Sequence, residues 1–318
     1  MNNILSLQII FNLKNRKKYL IRYFKVLKEY KPTFDILVIS EKDQTLIPDI
    51  YSSFKNNVLI FNINKKISGM NDIFKSINKA NNIIKKYKYV NFIEDDNFIF
   101  PDAIKECEKF LNRANNKFIA CNGINFLFKY DLRYNFLNIY HSPNFFKNTT
   151  IERALSYKNN GGLLYYSLFR TKIFLKICSK INYIHDDNLS EILFNYTSLF
   201  FGNIKKLNII YLAREYPRPR IYNIPNANEW IQSNRLMYEI NKVYEIINNQ
   251  IKNDKYNYDT KYFFELTILH YLKLRFQKHN NKNYFNNFFI ILKKYFFVNF
   301  IKKNKKVELF FNRINNTL

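Results

Sequence analysis

Apolar positions change their spacing several times along the first two thirds of the chain, and each change marks an expected element. Residues 5–11 are apolar apart from Ser6 and Gln8, the pattern of a buried strand. From 16 to 30, the apolar residues Tyr19, Leu20, Tyr23, Phe24 and Leu27 recur at helical spacing and predict one buried helix face. Short apolar runs at 34–39 and 57–61 predict two more strands, and a helix over 71–87 carries Ile73, Ile77, Ala80 and Ile84 on one side. A fourth strand at 89–93 runs directly into Glu94-Asp95-Asp96-Asn97. Beyond Pro101 come a helix at 103–111 and a strand at 118–121; strands at 163–169 and 207–213 then enclose helices at 172–179 and 189–200. Segment 122–160 mixes strand-like pieces with polar breaks and yields no assignment. Strands separated by helices predict an α/β fold, a mostly parallel sheet flanked by helices.

Three of the seven prolines fall within 217–225, a loop that ends the alternating region. From Asn228 onward the pattern is helical, so the expected division is 1–225 and a helical C-terminal region at 226–318. The length of 318 residues suits one large or two smaller domains, and 47% apolar residues exclude wholesale disorder. Three cysteines (Cys107, Cys121, Cys178) without CxxC spacing exclude a disulfide scaffold and imply neither zinc nor redox chemistry. Residues 1–10 have no basic start and run straight into a strand, so no secretory leader is expected. The longest apolar stretch, near 288–300, is broken by Lys293 and Lys294, so no membrane span is expected either. A reducing cytoplasm fits these features.

The net charge is 51 − 25 = +26. Lys, Asn, Ile, Phe and Tyr are over-used together, as AT-rich codons dictate, so most of the lysine excess needs no polyanion partner. Such a surface attracts nucleic acid, anionic lipid or phosphorylated small molecules alike, and charge alone does not choose among them.

Against that basic background the acids at 94–96 stand out. A buried strand delivers clustered carboxylates to its C-terminal end, and a Pro-initiated helix then turns away. Ligands of open α/β sheets sit outside such strand ends. Adjacent carboxylates repel each other unless a cation offsets them. Mg²⁺ or Mn²⁺ takes one or two protein carboxylates and completes its shell with water and phosphate oxygens, as a nucleoside-diphosphate leaving group requires. The alternative is a solvated acidic turn at a helix start.

The order strand, helix, strand, helix, then strand–Asp-Asp–Pro–helix resembles the GT-A fold of family-2-type glycosyltransferases, over roughly residues 4–225. The resemblance implies a nucleotide-sugar donor, a glycan or lipid-linked acceptor, and Mn²⁺ or Mg²⁺ held by Asp96 with Asp95, the latter also facing ribose. Asn15-Arg16 match part of the family's first turn, although its Pro-Thr-Tyr is missing, and only Glu41 stands for the paired acids that usually end the second strand. A later block, Arg170-Thr171, then Asp187 with Glu191 four residues on, Gly202, and a strand closing in Arg214-Glu215, also resembles divergent bacterial members. That likeness implies an acceptor-side base at Asp187 or Glu191, with Asp186 third, and an inverting reaction. Asp187 as a helix N-cap is the bland alternative. Arg16, Arg170 and Arg214 are candidates for the diphosphate because a guanidinium fork matches phosphate oxygens; surface ion pairs are their ordinary role. His141 and His185 could contact sugar hydroxyls, and Trp230 is read as core packing.

Residues 284–318 interleave aromatics with lysine clusters. A helix with one aromatic and one cationic face lies at a bilayer interface and favours anionic lipid, which would make the protein peripheral on the inner face of the cell membrane. Packing of that helix on the catalytic domain competes with this reading. Two other function classes compete with the transferase. A nucleic-acid binder would exploit the charge, but the chain has no zinc pattern, RNP-like aromatic box or helix-turn-helix, so no nucleic-acid partner is expected. A nucleotidyltransferase on a related sheet would want a glycine-rich loop after the first strand, where Phe11-Asn-Leu-Lys-Asn-Arg16 has no glycine.

Overall fold

The computed structural model describes residues 2–9, 13–30, 32–41, 58–64, 67, 69–130, 134–140, 144–160, 162–215, 235–251 and 260–277. The chain divides into two compact units, Met1–Tyr222 and Asn223–Leu318.

In the first unit, β1 (Ile4–Ile9) and β2 (Asp35–Glu41) flank α1 (Leu13–Tyr30) in sequence, and β3 (Val58–Ile63) follows. Next come α2 (Met70–Lys79), the single turn α3 (Asn81–Ile84), β4 (Tyr89–Glu94), β5 (Asn97–Ile99) and α4 (Pro101–Arg113). Two paired strands, β6 (Phe118–Tyr130) and β7 (Tyr134–Tyr140), precede α5 (Thr150–Asn160). The unit closes with β8 (Leu168–Arg170), α6 (Thr171–Ile181), α7 (Asp187–Phe201) and β9 (Asn203–Glu215). The sheet order is β3-β2-β1-β4-β8-β6-β9-β5, with β7 on β6. β3, β2, β1 and β4 are parallel neighbours, as are β6 and β9; short antiparallel pairings join β8 to β4 and β6, and β5 to β9. The α/β sheet with flanking helices expected from the pattern is the one that forms.

Register assigns the layers. Ser6 pairs with Asn91 and Leu7 with Phe92, and neighbouring residues on a strand face opposite sides. The Ser6 side receives α1, whose buried Tyr23 lies within reach of the Ser6 hydroxyl. The Phe92 side receives α7 through Tyr165, whose ring lies 5.9 Å from Phe92 and 6.4 Å from Phe194. Around Phe194 the core is aromatic: Phe74 of α2 stacks at 5.8 Å, and Phe169 and Phe174 meet it edge-on at 5.6 and 5.9 Å. Burying one such side chain contributes roughly 1.5–3 kcal/mol, so Phe194 ties α2, α6, α7 and β8 together.

Polar side chains fix the connections. Arg153 is buried and donates to the carbonyls of Leu199 and Lys147 at 2.9 and 3.0 Å, which satisfies the last turn of α7. Gly202 follows at φ 154°, where an added Cβ would lie 2.6 Å from the Lys117 carbonyl. Glycine is therefore required at the turn into β9.

Several expected bounds shift for physical reasons. The helix foreseen over 71–87 is broken at Ala80 (φ −80°, ψ 4°) into α2 and α3. The strand foreseen at 163–169 is a 3₁₀ turn, Leu164–Tyr166, and only Leu168–Arg170 is extended. The strands foreseen at 118–121 and 207–213 both extend to thirteen residues. In β6 the polar break at Asn122-Gly123 hid the continuation: Asn122 donates to the Ser167 hydroxyl at 2.9 Å, and the register with β9 shifts at this point. The proline loop 217–225, His141, Trp230 and the segment 284–318 lie outside the described residues.

The second unit contributes α8 (Arg235–Ile251) and α9 (Thr260–Gln277), which meet through Tyr244 and Phe264, rings 5.4 Å apart and edge-on. Among the described residues, no helix is long and apolar enough to cross a membrane.

Candidate active site

Parallel register brings the C-terminal ends of β1, β2 and β4 to one edge of the sheet, since Ile9 pairs with both Ile39 and Glu94. Glu94, Asp95 and Asp96 all sit at that edge, 1%, 1% and 2% exposed. Burying three successive carboxylates carries a desolvation cost that a solvated acidic turn would not incur, so that alternative fails here. Local sequence explains the turn: β4 is buried throughout, β5 reverses the chain to pair with β9, and Pro101 opens α4 where its missing N–H is not needed.

Glu94 is held by two donors. Tyr166 Oη donates to Glu94 Oε2 at 2.9 Å and Asn97 Nδ2 at 3.2 Å, while Asn97 Nδ2 also reaches Tyr166 Oη at 3.0 Å. Because a carboxylate only accepts, this contact fixes the Asn97 amide with its oxygen turned away. Tyr165, next to Tyr166 with ring centroids 4.3 Å apart, is wedged between Phe92, two residues before Glu94, and Phe194, one turn beyond Glu191. Burial, with Glu191, Tyr166 and Glu94 as further electrostatic causes, pushes the Tyr165 phenol well above its ordinary value, while Arg214 acts in the opposite sense. These influences put Glu191 and Arg214 within electrostatic reach of the Tyr165 phenol. Register agrees for Arg214, whose Cα partner is Asn97.

Asp187 opens α7, and a second helix start depends on it. Gly69, the N-cap of α2, has no side chain to offer, and the Met70 N–H donates instead to Asp187 Oδ1 at 2.6 Å. An added Cβ on Gly69 would lie 2.3 Å from that same oxygen. Burial raises the Asp187 carboxyl from 3.8 to about 7; the Met70 hydrogen bond lowers it, and Asp186 and Asp72 raise it further. The N-cap of α7 is Asp186, which accepts from Leu189 N at 2.9 Å. The cap alternative considered for Asp187 thus belongs to its neighbour, and Asp187 serves α2 across the fold.

The other sequence candidates separate clearly. Glu41 ends β2 at the same edge, and its Oε1 accepts from the Ile67 N–H at 3.0 Å. Asn15 and Arg16 lie in the first turn of α1, which leaves that edge, with side chains outside the described residues. His185 is exposed. Arg170 requires correction as a diphosphate ligand. β8 runs antiparallel to β4, so Arg170 pairs with Tyr89 at the far end from the acids. Its guanidinium donates to the carbonyls of Phe118, Leu111 and Ala114 at 2.9, 2.8 and 3.3 Å, holding the end of α4. The same reversal carries Tyr165 and Tyr166 to the acid end. Neither they nor Asn97 were given a role from the sequence; Glu94 stood out there as one of the clustered acids at 94–96 without a role of its own, and the tyrosines carried no signal beyond an aromatic pair.

Among the described residues, no group of three or more His, Cys, Asp or Glu side chains could hold a metal by itself. Asp95 and Asp96 supply two adjacent carboxylates, as many as Mg²⁺ takes from a protein when phosphate oxygens and water complete its shell. A cavity of about 180 Å³ lies beside α2 and is lined by Asp72, Lys75 and Asn182 among others. It does not reach the acids at 94–96, but it shares Asp72 with the surroundings of Asp187.

No protein-family model matches the chain, and no curated protein sequence does. Solved structures do. Residues 1–349 of S. aureus TarS in complex with UDP-GlcNAc match at 13% identity and a TM-score of 0.55, covering 91% of this chain and 80% of that one. The same TarS fragment without that ligand matches at 14% identity and a TM-score of 0.50, covering 88% and 74%. At these identities the likeness is one of fold, and it makes the first unit GT-A-like in architecture.

Proposed function

We propose that the protein is a metal-dependent, inverting glycosyltransferase that moves a sugar from a nucleoside-diphosphate donor to a hydroxyl of a glycan or lipid-linked acceptor, in the synthesis of surface polysaccharide or glycoconjugate. The observation that carries this reading is the buried Glu94-Asp95-Asp96 turn at the C-terminal sheet edge, with Glu191, Arg214 and Asp187 on the elements around it. The fold shared with TarS, whose structure holds UDP-GlcNAc, supports the donor class.

Asp96, assisted by Asp95, would hold Mn²⁺ or Mg²⁺, which when bound offsets charge on the departing diphosphate. Arg214, beside Asn97, adds a fixed cation on the same side. Arg16 and Asn15, at the start of α1, complete the proposed donor contacts, and Glu41, at the end of β2, orders the chain at Ile67. Asp187 is the stronger choice of base, because a carboxyl near 7 is matched to proton transfer at neutral pH. The acceptor oxygen forms its bond to the anomeric carbon as the bond to diphosphate breaks on the opposite face. Asp187 takes the hydroxyl proton, and the configuration inverts. Glu191, one turn along α7, is the alternative base. Residues 284–318 would hold the protein against anionic lipid on the cytoplasmic face of the membrane, near a lipid-linked acceptor.

The test is a thermal-shift panel of UDP-sugars with and without Mn²⁺, on wild type and Asp96→Ala. Mn²⁺-dependent stabilisation of wild type, lost in Asp96→Ala with the unliganded melting temperature kept, is the expected result. No stabilisation by any sugar nucleotide would overturn the reading.

A further inference from the structure

Tyr165 and Asn97, beside the acid turn, each bury a polar atom without a hydrogen-bond partner among the described residues, whereas the Tyr166 hydroxyl next to them is engaged. The Tyr165 side chain is 1% exposed, and its hydroxyl has no hydrogen-bond partner among the described residues. Asn97 is 2% exposed; its amide nitrogen serves Glu94 and Tyr166, and its Oδ1 is likewise without a partner. Leaving a buried donor or acceptor unmade costs more than a made hydrogen bond contributes, and a phenylalanine at 165 would avoid that cost in the same space. The adjacent Tyr166 makes the contrast, since its hydroxyl bonds both Glu94 and Asn97.

We infer that Tyr165 contacts the sugar of the donor, its phenol donating to a ring hydroxyl while the Asn97 amide oxygen accepts from a hydroxyl of the same sugar. The inference rests on the proposed function and deepens it by naming what distinguishes a sugar nucleotide from the bare nucleotide at this site. Geometry supports it: Tyr165 packs against Phe92 of β4, two residues before Glu94, and Phe194 of α7, one turn beyond Glu191, and both of those carboxylates act on its phenol. A phosphate is a poor occupant between two carboxylates, whereas a sugar hydroxyl both accepts from a phenol and donates to an amide or carboxylate oxygen. Burial keeps the phenol protonated across the physiological range, so it remains a donor.

The test is Tyr165→Phe, which removes one oxygen and leaves every protein hydrogen bond given above in place. Unliganded melting temperature and the affinities for UDP and for the UDP-sugar that most stabilises wild type are measured, with Tyr166→Phe as the structural comparison. The expected result is an unliganded melting temperature equal to or above wild type, unchanged UDP affinity, and a roughly five- to tenfold loss of the sugar-dependent part of binding. Tyr166→Phe should lower the unliganded melting temperature instead. Equal binding of the UDP-sugar by Tyr165→Phe and wild type overturns this inference and leaves the transferase reading standing. A fall in unliganded stability of Tyr165→Phe as large as that of Tyr166→Phe also overturns it, because the hydroxyl then has a structural role. If wild type does not distinguish any UDP-sugar from UDP, the functional reading fails and takes this inference with it.

Discussion

Asp187→Asn should make the protein more stable while removing its activity, and the gain should grow with pH. The wild-type carboxyl titrates near 7 in the folded chain against an ordinary value of 3.8, chiefly because burial disfavours its charge. The folded state therefore holds the proton more tightly than the unfolded state does. Between about pH 4 and 7 the unfolded chain has released a proton that the folded chain keeps, so stability falls as pH rises through that window and levels off above it. The gap of roughly three pH units, at about 1.36 kcal/mol each, sets a ceiling of roughly 4 kcal/mol. Asp187 is partly exposed, and solvent screening reduces the realistic figure to about 1–2 kcal/mol. Asparagine keeps an oxygen for the Met70 N–H and presents its amide to Asp186 and Asp72, the acids that raise the native carboxyl.

For a unit of this size such a gain corresponds to a rise of roughly 2–8 °C in melting temperature. Thermal unfolding of both proteins from pH 4.5 to 9 gives the measurement, with the two curves converging at the acid end. Turnover is measured on the same samples. A variant less stable than wild type at pH 8, or a difference that ignores pH, would refute the desolvated-acid account. Full turnover in Asp187→Asn would move the base to Glu191.

Arg170→Ala should leave sugar-nucleotide binding intact but lower stability by about 2–4 kcal/mol, because three backbone carbonyls lose a charged donor; weakened donor binding at unchanged stability would contradict its placement. Gly69→Ala keeps an extended backbone that any residue adopts, yet its Cβ displaces the Asp187 carboxylate. The measurable consequence is a folded protein with turnover at least tenfold lower, and wild-type turnover would show that Asp187 need not stay where it is. Removal of residues 284–318 should abolish salt-sensitive binding to phosphatidylserine-containing liposomes; equal binding by the shortened protein would remove the membrane role from that segment.

Fold and site differed in how far the sequence reveals them, and strand direction explains much of the difference. The first four strands and their helices follow from apolar spacing because parallel crossovers leave clear helical and buried-strand patterns. The acids at 95 and 96 were legible for the same reason: in a parallel strand the last residue necessarily lies at the ligand edge. The later half mixes directions, and direction is not written in periodicity. Arg170 follows a strand as Asp95 does, but β8 runs the other way, so its basic turn lies at the opposite edge. The long strand β6 was foreseen only in part because Asn122 and Gly123 read as a break, whereas in the fold the Asn122 amide N–H donates to the Ser167 hydroxyl. Asp187 was legible as a chemical candidate but not as the partner of Met70, a contact across 117 residues.

The acid turn also constrains any account of the charge. A chain carrying +26 still buries Glu94, Asp95 and Asp96 together, away from most of its surface charge. Surface lysines act through water and salt, which screen them within about 8–10 Å. Compensation must come from groups at hydrogen-bond range. For Glu94 they include Tyr166 and Asn97, neutral donors that stabilise a charge without neutralising it. Arg214, across the ladder from Asn97, is the nearest cation that the strand register supplies. Among the described residues named here, three buried carboxylates stand with one guanidinium, a balance that would favour a divalent cation arriving with the diphosphate over a diphosphate arriving alone. On that argument UDP should bind measurably tighter in Mn²⁺ than in chelator, whereas a basic surface acting at long range would show affinity that falls with salt and ignores the metal.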